Sequence, residues 1–190
     1  MTIKQGEILF IVGGNGSGKS TLLKLLIGLY YPATGSLYVD DDQIDQTNYQ
    51  SYRELFSIIF TDFQLFDRLY GLRDIDEQRL KSLLRLMELD KKTEFIDGKF
   101  TNVDLSTGQK KRLAFIAAVL ENKPVYIFDE VAADQDPQFR QYFYEVILQD
   151  LKKQGKTIIA VTHDDKYFHT ADRVLKMEEG RLVNYKATPK

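Results

Sequence analysis

The 190-residue sequence contains no cysteine, which excludes disulfide staples and thiolate metal sites and fits a reducing compartment. None is needed: a chain of this length folds as one medium domain burying about 70% of its unfolded surface. Excess charge of either sign is also missing, because 26 Lys and Arg against 28 Asp and Glu leave a formal charge of -2. No global attraction for nucleic acid follows, and no basic patch of convincing size stands out, so nucleic acid is not an expected partner. Long apolar runs are absent as well. The longest, such as Ile8 to Val12 and Leu113 to Leu120, fall far short of a bilayer's thickness. No secretory leader pattern opens the sequence, and neither an internal repeat nor a low-complexity segment is found. By itself the chain reads as a soluble, cytoplasmic domain.

What is present begins at residues 13 to 20, Gly-Gly-Asn-Gly-Ser-Gly-Lys-Ser, a phosphate-cradling loop of the form G-x-x-x-x-G-K-[S/T]. It lies between a strand-like run, Ile8 to Val12, and a helix-like run, Thr21 to Tyr30. Gly13, Gly14, Gly16 and Gly18 let backbone N–H groups approach phosphates, together with Asn15 and Ser17, and the following helix aims its positive end there. Lys19 is placed to meet the β- and γ-phosphates, with Thr21 next along the helix. Ser20 brings a hydroxyl to the position that reaches a phosphate-bridging Mg²⁺. The chain is therefore expected to bind a nucleoside triphosphate.

Further along, Ser36 to Val39 alternates like a short strand before a polar stretch ending near Ser51. Its Asp40, Asp41, Asp42 and Asp45 read as a solvated loop and not as a metal site. A buried strand is expected over Leu55 to Phe60, an amphipathic helix over Asp74 to Leu89, and a helix starting near Gly108. Then follow a strand Val125 to Phe128, a helix from about Pro137 to Lys153, and a strand Thr157 to Val161. Arg173 to Met177 and Arg181 to Val183 close the pattern as a strand pair at a sheet edge. Strands alternating with helices call for a mostly parallel sheet covered on both faces, an α/β fold of the P-loop NTPase kind with a small antiparallel excursion.

The strand over Val125 to Phe128 ends in Asp129 and Glu130, which delivers two diverging carboxylates to the mouth of the sheet beside the phosphate loop. Asp129 is placed to hold Mg²⁺, and Glu130 to polarise the water that attacks the γ-phosphate. Leu105-Ser106-Thr107-Gly108-Gln109 precedes a helix, a second anion-seeking helix N-terminus.

With that segment the sequence resembles the nucleotide-binding domain of ABC transporters, whose Leu-Ser-Gly-Gly-Gln signature is matched except at Thr107. The resemblance implies that Ser106, Gly108 and Gln109 complete the ATP site of a second copy, two domains sandwiching two ATP molecules head to tail. It also implies that Ala133-Asp134-Gln135-Asp136 is a dimer-contact loop, and that His163 contacts the γ-phosphate and holds Glu130 and water. His169 reads as a surface residue, and Lys110, Lys111 and Arg112 as solvated or facing the partner.

Two departures from the family pattern stand out. Where the family has a Mg²⁺-sensing glutamine, this sequence offers Thr61 with Asp62, or else Gln64; Asp62 is counted with Ser20 and Asp129 as a metal candidate. The family's adenine-stacking aromatic, some two dozen residues before the loop lysine, has no counterpart, so residues 1–190 are expected to be an ATP-binding domain lacking its N-terminal strand or strands. A reduced helical subdomain is expected over about 70–122.

A finer resemblance is to the bacterial cyclic-peptide exporters, relatives of siderophore and microcin exporters. It rests on the runs from Phe60, Leu105, Asp129 and His163. It implies an ATP-driven motor at the cytoplasmic face of the inner membrane, docked through the loop from Thr61 to Leu72 on a transmembrane domain. An ATP-gated binding or regulatory module is the alternative. A soluble ATPase of DNA repair or translation fits less well, since neither a coiled-coil insertion nor a tandem cassette is present.

Overall fold

The computed structural model describes residues 1–72 and 74–185. The expected domain span of 1–190 includes Arg73 and 186–190, which lie outside the described residues.

Five parallel strands and one antiparallel edge strand form the central sheet, in the order β10-β9-β1-β8-β7-β4. These strands are β1 (Ile8–Val12), β4 (Phe56–Ile59), β7 (Val125–Asp129), β8 (Thr157–Val161), β9 (Arg173–Glu178) and β10 (Arg181–Asn184). Parallel pairing with helices on both faces leaves β1 and β8 no solvent side, hence the uninterrupted apolar runs Ile-Leu-Phe-Ile-Val and Thr-Ile-Ile-Ala-Val. Alternation still divides each strand between two cores. Ile8, Phe10, Tyr126, Phe128, Ile158 and Ala160 face one side; Leu9, Ile11, Ile127, Ile159 and Val161 face the other, where Leu23 and Ile27 pack on them.

Helix α1 (Lys19–Leu26) is shorter than its expected span and stops before Gly28, which lies at φ 69°. Strands β2 (Leu37–Val39) and β3 (Asp42–Ile44) form the small antiparallel excursion. The polar stretch after it contains a helix the pattern did not reveal, α2 (Tyr49–Arg53), whose Tyr49 and Tyr52 pack with Ile44 as a minor core.

On the opposite face lie α3 (Glu77–Leu86), the hairpin β5 (Phe95–Ile96) and β6 (Lys99–Phe100), and α4 (Thr107–Glu121). Asp76 caps α3 by accepting from the N–H groups of Gln78 and Arg79. Ser106 and Gln109 form a reciprocal capping box at the start of α4. Leu80, Leu84, Leu113 and Ile116 join the larger core.

The expected helix from Pro137 to Lys153 is α5 (Pro137–Tyr142), a π turn at Phe143–Ile147, and α6 (Leu148–Lys153). The wider turn lets the adjacent Phe143 and Tyr144 both pack inward, Phe143 against Phe115 and Phe128, Tyr144 against Phe10 and Tyr167.

Lys111 and Arg112 correct the expectation that they are solvated or face a partner: they are only 2% and 9% exposed. Carboxylates distant in sequence compensate these buried cations. Arg112 lies 2.6 Å from Glu88 Oε2 and 2.8 Å from Asp136 Oδ2, donates to Gln135 Oε1 at 2.8 Å, and stacks 3.6 Å above the Phe139 ring.

Candidate active site

The register of the sheet brings three chemical segments to one edge. Val161 pairs with Ile11 and with Asp129, so the loop after β1, the acids after β7 and His163 after β8 all emerge at the carboxyl ends of neighbouring parallel strands, where α/β sheets bind ligands.

The phosphate loop spans Gly13 to Gly18. Gly13 admits no side chain, because a β-carbon there would lie 2.4 Å from the Met177 carbonyl oxygen of β9. Gly180, in the β9–β10 turn, donates its N–H to the Ser17 carbonyl at 3.0 Å; this buttress was not legible in the motif. Gly14, Asn15 and Gly16 form the open rim, with Ser20 and Thr21 exposed beside it. Lys19 is buried, its Nζ donating to the carbonyls of Gly13 and Gly14 at 2.8 and 3.1 Å. Helix α1 begins from Gly18 with no side-chain cap and no acid in its first turn. Ser17 Oγ is buried without a hydrogen-bond partner. Uncapped helix N–H groups, an orphaned hydroxyl and a buried ammonium together fit a polyphosphate.

Asp129 is buried at the end of β7. Its burial, and next the charge of Glu130, push its carboxyl above the usual aspartate value, while Thr61 and Lys19 pull the other way. The Thr61 hydroxyl donates to the Asp129 carbonyl at 3.2 Å. Of the residues offered at the metal-sensing position it is thus Thr61 that reaches Asp129; Asp62 is exposed, and Gln64 lines a cavity with Thr107 and Lys110. No group of three or more His, Cys, Asp or Glu able to hold a metal occurs among the described residues, so a cation here would draw on a hydroxyl, Asp129 and the phosphates themselves.

Glu130 adopts φ 55°, rare for a residue with a side chain. The turn away from the strand parts it from Asp129 and sets its Oε1 3.1 Å from His163 Nε2. His163 is half-exposed. His169 is exposed, with Nδ1 2.9 Å from the Lys166 carbonyl.

The signature segment lies at the start of α4, with Leu105 buried and Ser106 and Thr107 exposed. Behind it, Gln135 is buried and Asp134 is exposed. What sequence reasoning missed are remote partnerships: Met177 and Gly180 against the phosphate loop, Gln135 against Gly108, and Lys111 against Glu130. No local spacing signals them.

The sequence pattern of ABC transporters matches residues 1–133. The chain belongs to the ABC transporter family and is one of its ATP-binding, ATPase domains. It is 46% identical over 188 residues to ATP-binding protein SyrD of Pseudomonas syringae pv. syringae, covering 97% of this chain and 33% of SyrD. It is 36% identical over 193 residues to energy-coupling factor transporter ATP-binding protein EcfA1 of Mycoplasma genitalium, covering 96% of this chain and 69% of that protein. The chain thus spans about a third of SyrD. Among solved structures, the ATP-binding cassette MJ0796, in a dimeric post-hydrolysis state with ADP and Pi, superposes with a TM-score of 0.79 at 25% identity, covering 99% of this chain and 89% of that one. The ABC fold expected from the sequence is the fold observed. No helix among the described residues is long and apolar enough to cross a membrane.

Proposed function

We propose that this domain is the motor of an ABC exporter: it hydrolyses ATP between two copies of itself and drives efflux of a peptide-like cargo through a transmembrane domain. The observation that carries the reading is the 3.1 Å pair of Glu130 and His163, standing at the same sheet edge as the phosphate loop.

The loop N–H groups, Ser17 and Lys19 bind the phosphates. Lys19 exchanges its loop carbonyls for phosphate oxygens, a substitution that keeps the ammonium satisfied and fixes the chain of phosphates in line. Glu130 takes the proton of the attacking water, and His163 holds the carboxylate in the orientation that does so. When bound, Mg²⁺ would neutralise charge developing on the transferred phosphoryl group; Ser20 and Asp129 would hold it, with Asp62 a further candidate. Ser106, Gly108 and Gln109 face a second copy, and the exposure of Ser106 and Thr107 suits that role. The two sites of a head-to-tail pair are related by two-fold symmetry.

The segment of about 70–122, with α3, the β5–β6 hairpin and α4, serves as the helical subdomain. Between it and the Thr61 to Leu72 loop lies a cavity of about 350 Å³ lined by Phe63, Leu65, Phe66, Leu69 and Tyr70. Phe66 and Tyr70 are exposed aromatics stacked edge to face. An apolar concavity with a polar rim suits a short helix of a transmembrane partner, which would hold the domain at the cytoplasmic face of the membrane. The exporter assignment draws on the exporter-like motif runs and on the 46% identity to SyrD.

Phosphate release by the purified chain, followed against protein concentration with Mg²⁺ present, tests the motor. Super-linear dependence is expected, and Glu130→Gln should lower turnover about 10²- to 10⁴-fold while ATP binding persists. Turnover by Glu130→Gln at the unaltered rate, or a rate strictly linear in protein, would overturn the reading.

A further inference from the structure

Lys111 stands where a lysine is unfavourable. It is the fifth residue of α4 and is 2% exposed, so its charge is removed from water. Its position serves two contacts outside its own helix. Its Nζ donates to the main-chain carbonyl of Glu130 at 2.7 Å and lies 2.6 Å from Asp134 Oδ2.

The Glu130 carbonyl is an unusual thing to hold. Glu130 has φ 55°, a conformation that persists only where the surroundings over-determine it. On one side, its N–H donates to the Val161 carbonyl of β8 at 3.1 Å, and on the other its carbonyl accepts from the Ala133 N–H at 3.2 Å. Lys111 supplies the second donor to that same oxygen, charge-assisted and therefore the stronger of the two. With both flanking peptides anchored, φ and ψ of Glu130 are set together. The direction of its Cα–Cβ bond follows from them, and so does the place where the carboxylate meets His163 Nε2.

We infer that Lys111 is a positioning residue for ATP hydrolysis: its ammonium, held by Asp134, fixes the Glu130–Val131 peptide and so aims the Glu130 carboxylate at the attacking water. The inference rests on Glu130 being the general base. Lys111 also belongs to the helix capped by Ser106, so the segment offered to a second copy and the base of its own site are joined through one side chain.

The test compares Lys111→Met, which fills similar space without a donor, with Lys111→Gln, which keeps a donor one atom shorter. Steady-state ATP hydrolysis, equilibrium ATP affinity and thermal midpoint are measured for each full chain. Lys111→Met should lower kcat about 10²-fold, the scale of a misplaced reacting group, with KM and ATP affinity within about twofold of the unaltered protein. Lys111→Gln should recover about tenfold of that loss. Added to Glu130→Gln, Lys111→Met should change the residual rate by less than about twofold, because the group it positions is already gone. A merely structural lysine predicts a different outcome: Lys111→Met leaves Asp134 and the Glu130 carbonyl without their shared donor, so the thermal midpoint falls while kcat of the folded protein holds. Unaltered kcat in Lys111→Met overturns the inference, as does an equal fall in both variants with raised KM. If Lys111→Met does not fold, Asp134→Asn at an exposed position decides: kcat should fall with affinity intact, and an unchanged kcat overturns the inference. A fully active Glu130→Gln identifies failure of the base assignment; an inactive Glu130→Gln beside a fully active Lys111→Met identifies failure of the positioning role alone.

Discussion

Gln135 donates through Nε2 to the Gly108 carbonyl at 3.0 Å, which presses residues 134–135 against the first turn of α4 so closely that Gly108 has no room for a side chain. A β-carbon there would stand 2.6 Å from the Asp134 carbonyl oxygen. Gly108→Ala must therefore push one backbone off another. We expect ATP turnover to fall at least tenfold, with each copy still binding nucleotide in its own phosphate loop, because under the proposed head-to-tail arrangement the displaced segment is the one offered to the second copy. Hydrolysis and ATP affinity measured side by side check this, and an unchanged rate would contradict it.

Gly28 ends α1 at φ 69°, and a β-carbon there would lie 2.7 Å from the Tyr49 ring. Strain and overlap act in the same direction, so Gly28→Ala should destabilise the fold by about 1–3 kcal/mol. The site lies at the far end of α1 from Lys19, so ATP affinity of the folded fraction should hold. Urea denaturation gives the first quantity and nucleotide titration the second.

Asp136 accepts from the N–H groups of Gln138 and Phe139 at 3.1 and 2.9 Å, capping α5. The Phe139 bond is the largest influence holding its carboxyl below the usual aspartate value, with Arg112 assisting. A depressed folded-state value means stability present above the unfolded value of 3.8 and lost as pH falls through the folded one. Asp136→Ala should cost about 0.5–2 kcal/mol at neutral pH. The deficit should shrink below pH 3.8. Denaturation of both proteins across that range is the measurement.

Asp129 titrates with the opposite sign. Its burial, and next Glu130, raise its carboxyl above 3.8, so the folded chain keeps a proton that the unfolded chain has released. Stability without nucleotide therefore falls as pH rises through the window just above 3.8. Asp129→Asn removes the titrating carboxyl, and its thermal midpoint relative to the unaltered protein should climb through that window. A difference independent of pH would count against the burial argument.

Much of this site was legible because its parts are local. A phosphate loop carries its glycines, lysine and hydroxyl within eight residues, and Asp129 and Glu130 end an apolar run. The burial of Lys111 and Arg112 was not legible, since their partners Asp134, Glu88 and Asp136 are brought to α4 only by the fold. Helix α2 escaped notice because five residues give no period, and its stability comes from Tyr49 and Tyr52 packing on Ile44. The β5–β6 hairpin did carry a signal. Asp97-Gly98, both at positive φ, is a favoured two-residue hairpin turn, but two-residue strands are too short to alternate visibly.

One guanidinium, that of Arg112, is riveted to the Met87 carbonyl and Glu88 just past the end of α3 and to Gln135 and Asp136 on the other side. The fork is planar and rigid, and it is stacked on the Phe139 ring. The end of α3 and the Gly108 carbonyl are thereby joined through one arginine and one amide, Arg112 bonded to Gln135 and Gln135 to Gly108.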